Sequence, residues 1–260
     1  MKYLSILLLA ISATLFAQKT EDLFSESSFK GLEFRNIGPA FTSGRIADIA
    51  IHPEDKSIWY VAVGSGGVWK TVNSGVTWTP VFDQQASYSI GCVTIDPNNP
   101  HTVWVGTGEN VGGRHVGFGD GIYRSLDNGL TWTNMGLKES EHMSKIIVHP
   151  NNSNVVFVAV QGPLWKQGGE RGLFKALDGG KTWKNVGLKD SEHLSKIIVH
   201  PDTSDVVWVA SQGPLWSKGG ERGLYKSTDG GKTWNKTLGD DEWVGVTDVV
   251  LDPRNPDWMY

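Results

Sequence analysis

Ser125-Leu126-Asp127-Asn128-Gly129-Leu130-Thr131-Trp132 recurs along the chain in slightly altered form. Its copies are Thr71-Val72-Asn73-Ser74-Gly75-Val76-Thr77-Trp78, Ala176-Leu177-Asp178-Gly179-Gly180-Lys181-Thr182-Trp183 and Ser227-Thr228-Asp229-Gly230-Gly231-Lys232-Thr233-Trp234. The closing Trp residues stand 54, 51 and 51 positions apart. The stretch reads as a tight turn between two strands. Gly supplies a positive φ there, and the Asp carboxylate accepts backbone N–H groups of its own turn. A second marker precedes each copy: His52-Pro53, Asp96-Pro97, His149-Pro150 and His200-Pro201. A fifth marker, Asp252-Pro253, opens another unit. Residues 138–188 and 189–239 agree at about two thirds of their positions, which points to an internal duplication.

Each unit reads as four strands. In the third, Ile146-Ile147-Val148 ends at His149-Pro150, followed by Val155–Val160, then Gly172–Ala176, then a strand starting at Thr182-Trp183. Pro follows the first strand, where it removes no ladder donor. Four strands per unit, repeated in tandem, predict an all-β chain: a β-propeller of four-stranded antiparallel blades. The blades fall at about 45–82, 90–137, 143–188 and 194–238, with the first strand of a fifth in 246–260, hence an incomplete ring. Such an arc is expected to be the N-terminal part of a longer protein or the product of a truncated gene, with an exposed, aggregation-prone edge. The box Trp is expected to pack against a neighbouring unit. The exchange of His for Asp before Pro suggests turn capping rather than metal ligation.

The pattern Ser/Thr-x-Asp-x-Gly-x-Thr-Trp is that of the Asp-box, or BNR repeat. The chain resembles Asp-box propellers, especially the sortilin-like (VPS10-type) secreted proteins of bacteria, many of which carry a glycosyl hydrolase label. Phe34-Arg35-Asn36-Ile37-Gly38-Pro39, Ser43-Gly44-Arg45, Gly64–Lys70 and Gly106-Thr107-Gly108-Glu109-Asn110 add to the resemblance, which covers residues 31–260. It departs at Asn73, where boxes have Asp, and at Ala176, where they have Ser. The resemblance implies a ligand-binding module for a peptide, protein or glycan. The alternative it implies is a glycoside hydrolase acting on a polysaccharide, as in sialidases and xyloglucanases. The sialidase Arg-Ile-Pro signature is broken here by Asn36 and Gly38.

Composition narrows the field. Charged residues make up 20% and the net charge is −4, with no long basic run, so nucleic acid is a poor partner. Twelve Trp and 32 Gly suit short strands and tight turns. Lys2 followed by the apolar run Leu4–Ala17 reads as a signal peptide over 1–17, too short to span a bilayer. Residues 18–42 are then a lead-in, and 43–260 the partial propeller. The mature chain is expected to be periplasmic or secreted, with no membrane span. Cys92, the single Cys, lies in a strand-like run and reads as a buried, inert thiol. No ligand spacing for a metal is present, and no cofactor is implied.

Propeller topology puts the Asp-box turns on one face and the strand 2–3 and blade-to-blade loops on the other. The second face carries the candidates. Arg45, Glu109, Asn110, Arg114 and His115 do not recur with the repeat, and are the expected ligand-binding residues; Ser87 and Tyr88 share their rim. Arg114 is expected to grip a carboxylate or sugar hydroxyl, with Glu109 orienting it or acting as an acid. A glycoside hydrolase needs two carboxylates about 5–10 Å apart, one acting as general acid, and the candidates are Asp48, Glu109 and Asp120. Glu170-Arg171 and Glu221-Arg222, which do recur, read as intra-loop ion pairs, with Trp165 and Trp216 as wedges between blades. The pairs Glu141-His142 and Glu192-His193 line the same face.

Overall fold

Each repeat unit folds into one antiparallel sheet because its apolar runs alternate with turn residues at strand spacing. The computed structural model describes residues 31, 44–110, 116–165 and 168–260, so the expected signal peptide and most of the lead-in lie outside the described residues. The chain divides into two units, 1–40 and 41–260. Of the first, only Gly31 is described, an exposed turn residue. The second is all-β.

Its first sheet comprises β1 (Ile46–Ile51), β2 (Trp59–Val63), β3 (Gly67–Thr71) and β4 (Thr79–Pro80). The second holds β5 (Ile90–Ile95), β6 (Val103–Thr107), β7 (Ile122–Ser125) and β8 (Thr133–Asn134). The third holds β9 (Met143–His149), β10 (Asn152–Val160), β11 (Gly172–Ala176) and β12 (Lys184–Asn185). The fourth holds β13 (Leu194–Val199), β14 (Val207–Ser211), β15 (Gly223–Ser227) and β16 (Asn235–Leu238). Each of these is antiparallel in simple sequence order, as propeller blades are. A 3-10 turn at Lys189–Ser191 is the only helical element among the described residues.

Two details differ from expectation. The third sheet's last strand begins at Lys184, beyond Thr182-Trp183, because the Asp178 turn uses Thr182 as a hydrogen-bond partner before the ladder starts. The fifth unit also extends past its first strand: β17 (Leu251–Asp252) already pairs with β18 (Asn255–Met259).

The core lies between sheets. The second strand of each blade is apolar on both faces because it is sandwiched, and the two-residue period sends alternate side chains to opposite interfaces. In β10, Val156, Val158 and Val160 pack with Met143 of their own sheet and with Trp104 and Ile122 of the second. Phe157 and Ala159, on the other face, pack with Leu194, Ile197 and Val209 of the fourth. The same rule joins Tyr60 and Ala62 to Val103, Val105 and Tyr123. The inner strands β1, β5, β9 and β13 lie side by side in chain order. Thr94 Oγ1 donates to Ile146 O at 2.7 Å between β5 and β9, and Ser195 Oγ of β13 donates to Val246 O, beyond the fourth sheet, at 3.1 Å.

The Asp-box turns stitch blades together in one direction. Trp132 Nε1 donates to Val81 O at 2.7 Å, Trp183 Nε1 to Met135 O at 2.8 Å and Trp234 Nε1 to Val186 O at 2.8 Å, always into the preceding blade. A reciprocal tie runs forward. Lys70, Arg124 and Lys175 each sit over an aromatic ring of their own second strand, Tyr60, Trp104 and Phe157. Their cationic ends donate to Asn128 O, Gly179 O and Gly230 O of the next blade's box, at 3.0, 2.6 and 2.7 Å. Gly180 shows how close the approach is: at φ 83°, a Cβ there would stand 2.6 Å from the Trp104 ring.

Inside each box the carboxylate accepts what the sequence offers. Asp127 takes Ser125 Oγ at 2.7 Å, Thr131 N at 2.9 Å and Thr131 Oγ1 at 2.6 Å. Asn73 keeps the geometry by reversing one bond, donating Nδ2 to Thr77 Oγ1 at 2.8 Å. The residues before Pro are turn caps: His52, His149 and His200 accept N–H groups at Nδ1, while Asp96 and Asp252 do so through Oδ1.

Candidate functional site

Arg45 precedes β1, and its carbonyl accepts Gly64 N at 2.7 Å, which brings the entry to the first blade against the β2–β3 turn. Glu109 follows β6 through Gly108, whose φ is 83°. The two meet although 64 residues separate them. Arg45 Nε donates to Glu109 Oε1 at 2.5 Å, and a second guanidinium nitrogen reaches the same oxygen. Glu109 is 1% exposed, whereas the Arg45 side chain is half exposed. The second carboxylate oxygen, Oε2, is buried without a hydrogen-bond partner among the described residues. Residue 64 makes room for this carboxylate: a Cβ on Gly64 would stand 2.7 Å from Oε1 and 2.9 Å from Cδ.

The surrounding loops are held by hydroxyls. Ser89 Oγ lies 2.8 Å from Gly64 O and 2.9 Å from Gly117 O, and accepts Glu109 N at 3.1 Å. Ser87 Oγ reaches Phe118 O at 3.0 Å, which fastens the exposed Tyr88 and Phe118 beside Glu109's loop. Asn110 leans toward the third blade, with Nδ2 3.4 Å from Ser144 O. Arg45, Glu109 and Asn110 thus converge on one face. Arg114 and His115 lie outside the described residues; among those described, the Glu109 carboxylate pairs with Arg45.

The other two candidate carboxylates have structural work. Asp48 Oδ2 takes Lys145 Nζ at 2.8 Å and Val93 N at 3.3 Å, tying three inner strands. Asp248 and Lys196 make the matching tie at 3.0 Å. Asp120 accepts Tyr123 Oη at 2.5 Å and lies 3.3 Å from Thr107 Oγ1, bracing its own hairpin. Burial, with the Asp120 hydrogen bond, pushes the Tyr123 hydroxyl up to about 12.

His142 and His193 follow left-handed kinks at Glu141 and Glu192, φ 51° and 57°. Each His is buried and points Nδ1 at a backbone carbonyl, Glu109 O at 2.8 Å and Gly213 O at 3.1 Å, so Nδ1 carries the proton. Burial pushes both imidazoles down, His193 to about 4, which keeps them neutral near pH 7. Cys92 is buried, and burial pushes its thiol up to about 12. Among the described residues, no three His, Cys, Asp or Glu side chains form a metal-ligating group.

The recurring loops divide their labour. Arg171 clasps its own loop, donating Nε to Gly168 O and Nη1 to Gln161 O, both at 2.9 Å. Arg222 does the same to Gln212 O at 2.6 Å and to Pro214 O. Glu170 accepts Glu139 N at 3.0 Å, and Glu221 accepts Asp190 N at 2.8 Å. These Arg and Glu groups therefore brace backbone. Trp165 and Trp216 are no wedges between sheets: they are 58% and 73% exposed and stack on each other. Beside them is a cleft of about 790 Å³, lined in part by Glu170, Lys189, Asp190, Glu192, Pro214 and Ser217. The sequence shows the repeat of Pro-Leu-Trp but gives no sign that the indoles face water.

Known proteins share this architecture. The family model described as sortilin, neurotensin receptor 3, matches residues 120–246. A probable oligoxyloglucan-reducing end-specific xyloglucanase of Neosartorya fischeri is 25% identical over 80% of this chain and 25% of its own. A xyloglucanase of Paenibacillus sp. is 24% identical over 91% of this chain and 25% of its own. The chain thus spans about a quarter of the length of these relatives. Among solved structures, an ancestral GH74 enzyme superposes with a TM-score of 0.63 at 20% identity, covering 82% of this chain and 26% of that one. The GH74 enzyme of Niastella koreensis gives 0.58 at 24% identity, covering 73% and 29%. Four antiparallel four-stranded sheets in series, with a fifth begun, make this chain an arc of a β-propeller of the kind found in GH74 enzymes.

Proposed function

We propose that this chain forms part of a glycoside hydrolase-type propeller acting on a xyloglucan-like β-glucan, with Glu109 as one of its two reacting carboxylates. The similarity to xyloglucanases over most of the chain supports the substrate class. The observation that carries the residue is Glu109 Oε2, a buried carboxylate oxygen with no described partner, in a notch kept open by Gly64. Hydrolysis of a glycosidic bond uses one carboxyl group to protonate the leaving oxygen and another as base or nucleophile. Arg45 fixes Glu109 through Oε1 and leaves Oε2 without a described partner. Asp48 and Asp120 are engaged elsewhere, so the second carboxylate is a different residue. The test is release of new reducing ends from xyloglucan by the parent and by Glu109→Gln. Loss of at least ~100-fold in rate, with the fold intact, is expected for a general acid–base group. An unchanged rate contradicts the assignment.

A second reading is a peptide- or protein-binding module without chemistry, which the sortilin match favours. It predicts peptide binding and no reducing ends from any glucan. For location, Lys2 and the apolar run Leu4–Ala17 support export to the periplasm or medium. Terminal sequencing of the exported protein should then begin at Gln18.

A further inference from the structure

We infer that His142, which leads into β9 of the third blade, is a positioning residue for Glu109 of the second: it holds the Glu109 backbone and thereby fixes where the carboxylate stands. The inference deepens the glycoside hydrolase reading above and rests on it for the effect on rate. The imidazole is fully buried, and its Nδ1–H donates to Glu109 O at 2.8 Å. The amide of the same residue is held as well. Glu109 N donates to Ser89 Oγ and to Gly117 O, both at 3.1 Å. Two buried side chains, one from each flanking blade-to-blade loop, thus grip the N–H and the C=O of Glu109, while Arg45 grips its carboxylate.

The two blades touch closely here. A Cβ on Gly108 would stand 1.8 Å from Glu141 O, and one on Gly91 1.9 Å from Met143 O. Gly119 N donates to Glu141 O at 2.7 Å. Backbone lies on backbone, which brings the His142 ring within reach of Glu109 O. Phe118 flanks the ring, with centroids 5.5 Å apart. A fully buried ring has little freedom to turn, so the donor stays aimed at one carbonyl.

The fourth blade supplies an internal comparison. Gly108 N donates to Ser89 O at 2.7 Å, Gln161 N to His142 O at 2.9 Å and Gln212 N to His193 O at 2.8 Å. These matching bonds make His142 and His193 equivalent in the repeat, and they put Gly162 and Gly213 in the place of Glu109. His193 is buried too, but its Nδ1 turns to Gly213 O of its own blade at 3.1 Å. The same residue type reaches back across the junction where Glu109 stands, and not where glycine does. A reacting group displaced by about 1 Å can lose about 100-fold in rate, so such a grip bears on chemistry as well as on stability.

The test is steady-state hydrolysis of xyloglucan by the full chain. In parallel, the carboxyl resonance of Glu109 is read by NMR in protein carrying isotope-labelled glutamate, and is assigned with Glu109→Gln. His142→Leu should lower kcat roughly tenfold or more with KM little changed, and should shift or broaden that resonance. His142→Asn, whose amide nitrogen takes the place of Nδ1, should restore both. His193→Leu should lower the melting temperature about as much as His142→Leu, yet leave rate and resonance like the parent's. If His142→Leu does not fold, His142→Gln, whose amide nitrogen takes the place of Nε2, should show the same two losses. A parent-like rate and resonance in His142→Leu or His142→Gln overturns the inference, as does an equal loss in His193→Leu or failure of His142→Asn to restore them. The two proposals fail separately. A parent that releases no reducing ends, or a Glu109→Gln variant as fast as the parent, removes the hydrolase reading, and the resonance alone then decides the positioning. Loss of rate in Glu109→Gln with none in His142→Leu removes only the positioning role.

Discussion

Asp127 illustrates what a single residue does in this fold. Hydrogen bonds from Thr131, then from Ser125, hold its carboxyl down to about 2. Thr182 and Thr233 hold Asp178 and Asp229 below the usual range in the same way. A carboxyl whose folded value lies below its unfolded value stabilises the fold above pH ~4, and that contribution disappears as pH falls toward 2. Asn73 has the same turn geometry and no charge to lose. Asp127→Asn should therefore flatten the fall in melting temperature between pH 4 and 2 relative to the parent. Equal slopes in the two proteins would contradict this account of the box. The motif itself announced the role of Asp127. The Arg45–Glu109 contact had no such signal, because its partners belong to different blades and no local spacing relates them.

At the scale of the element, the blade is held by two opposed ties, an indole reaching back and a cation reaching forward. Trp132 is partly buried and fills the junction with Phe82, ring centroids 5.1 Å apart. Trp132→Ala should cost about 3 kcal/mol, the lower end for an aromatic lost from a core. Trp78 has no blade behind it among the described residues, is 38% exposed, and should tolerate the same change far better in chemical denaturation. For the forward tie, Lys175→Met keeps the stem and loses the bond to Gly230 O, at about 1–2 kcal/mol. Lys226 lies 5.1 Å from the Trp208 ring and makes no described hydrogen bond, so Lys226→Met should cost less. If both lysines behave alike, the forward tie carries no stability. The strands and turns were legible from alternating apolar runs and Gly positions. The forward tie was also written in the chain, as the Lys or Arg before each box at 70, 124, 175 and 226. Its meaning depends on the next blade's carbonyl, which a single unit does not reveal. Trp165 and Trp216 were misread for a related reason: repetition shows that a residue recurs, not which side of it meets water.

Across the whole described arc, burial is unequal. The faces between blades are filled, while the outward face of the first blade leaves Ile46, Ile49 and Ile51 exposed at 65%, 48% and 48%. Beyond the fourth blade, Leu238, Trp243, Val250 and Trp258 are exposed as well. Apolar sheet faces of this kind drive self-association. Sedimentation should show concentration-dependent assembly of the chain, reduced by Ile49→Lys; a monomer at all concentrations would contradict it. The central claim concerns the opposite ends of the blades, where Arg45, Gly64 and Glu109 converge. It is tested most directly by a crystal structure of the protein with a bound xyloglucan oligosaccharide. The account predicts a sugar oxygen within hydrogen-bond distance of Glu109 Oε2. An oligosaccharide seated on the protein with Glu109 out of its reach would contradict it.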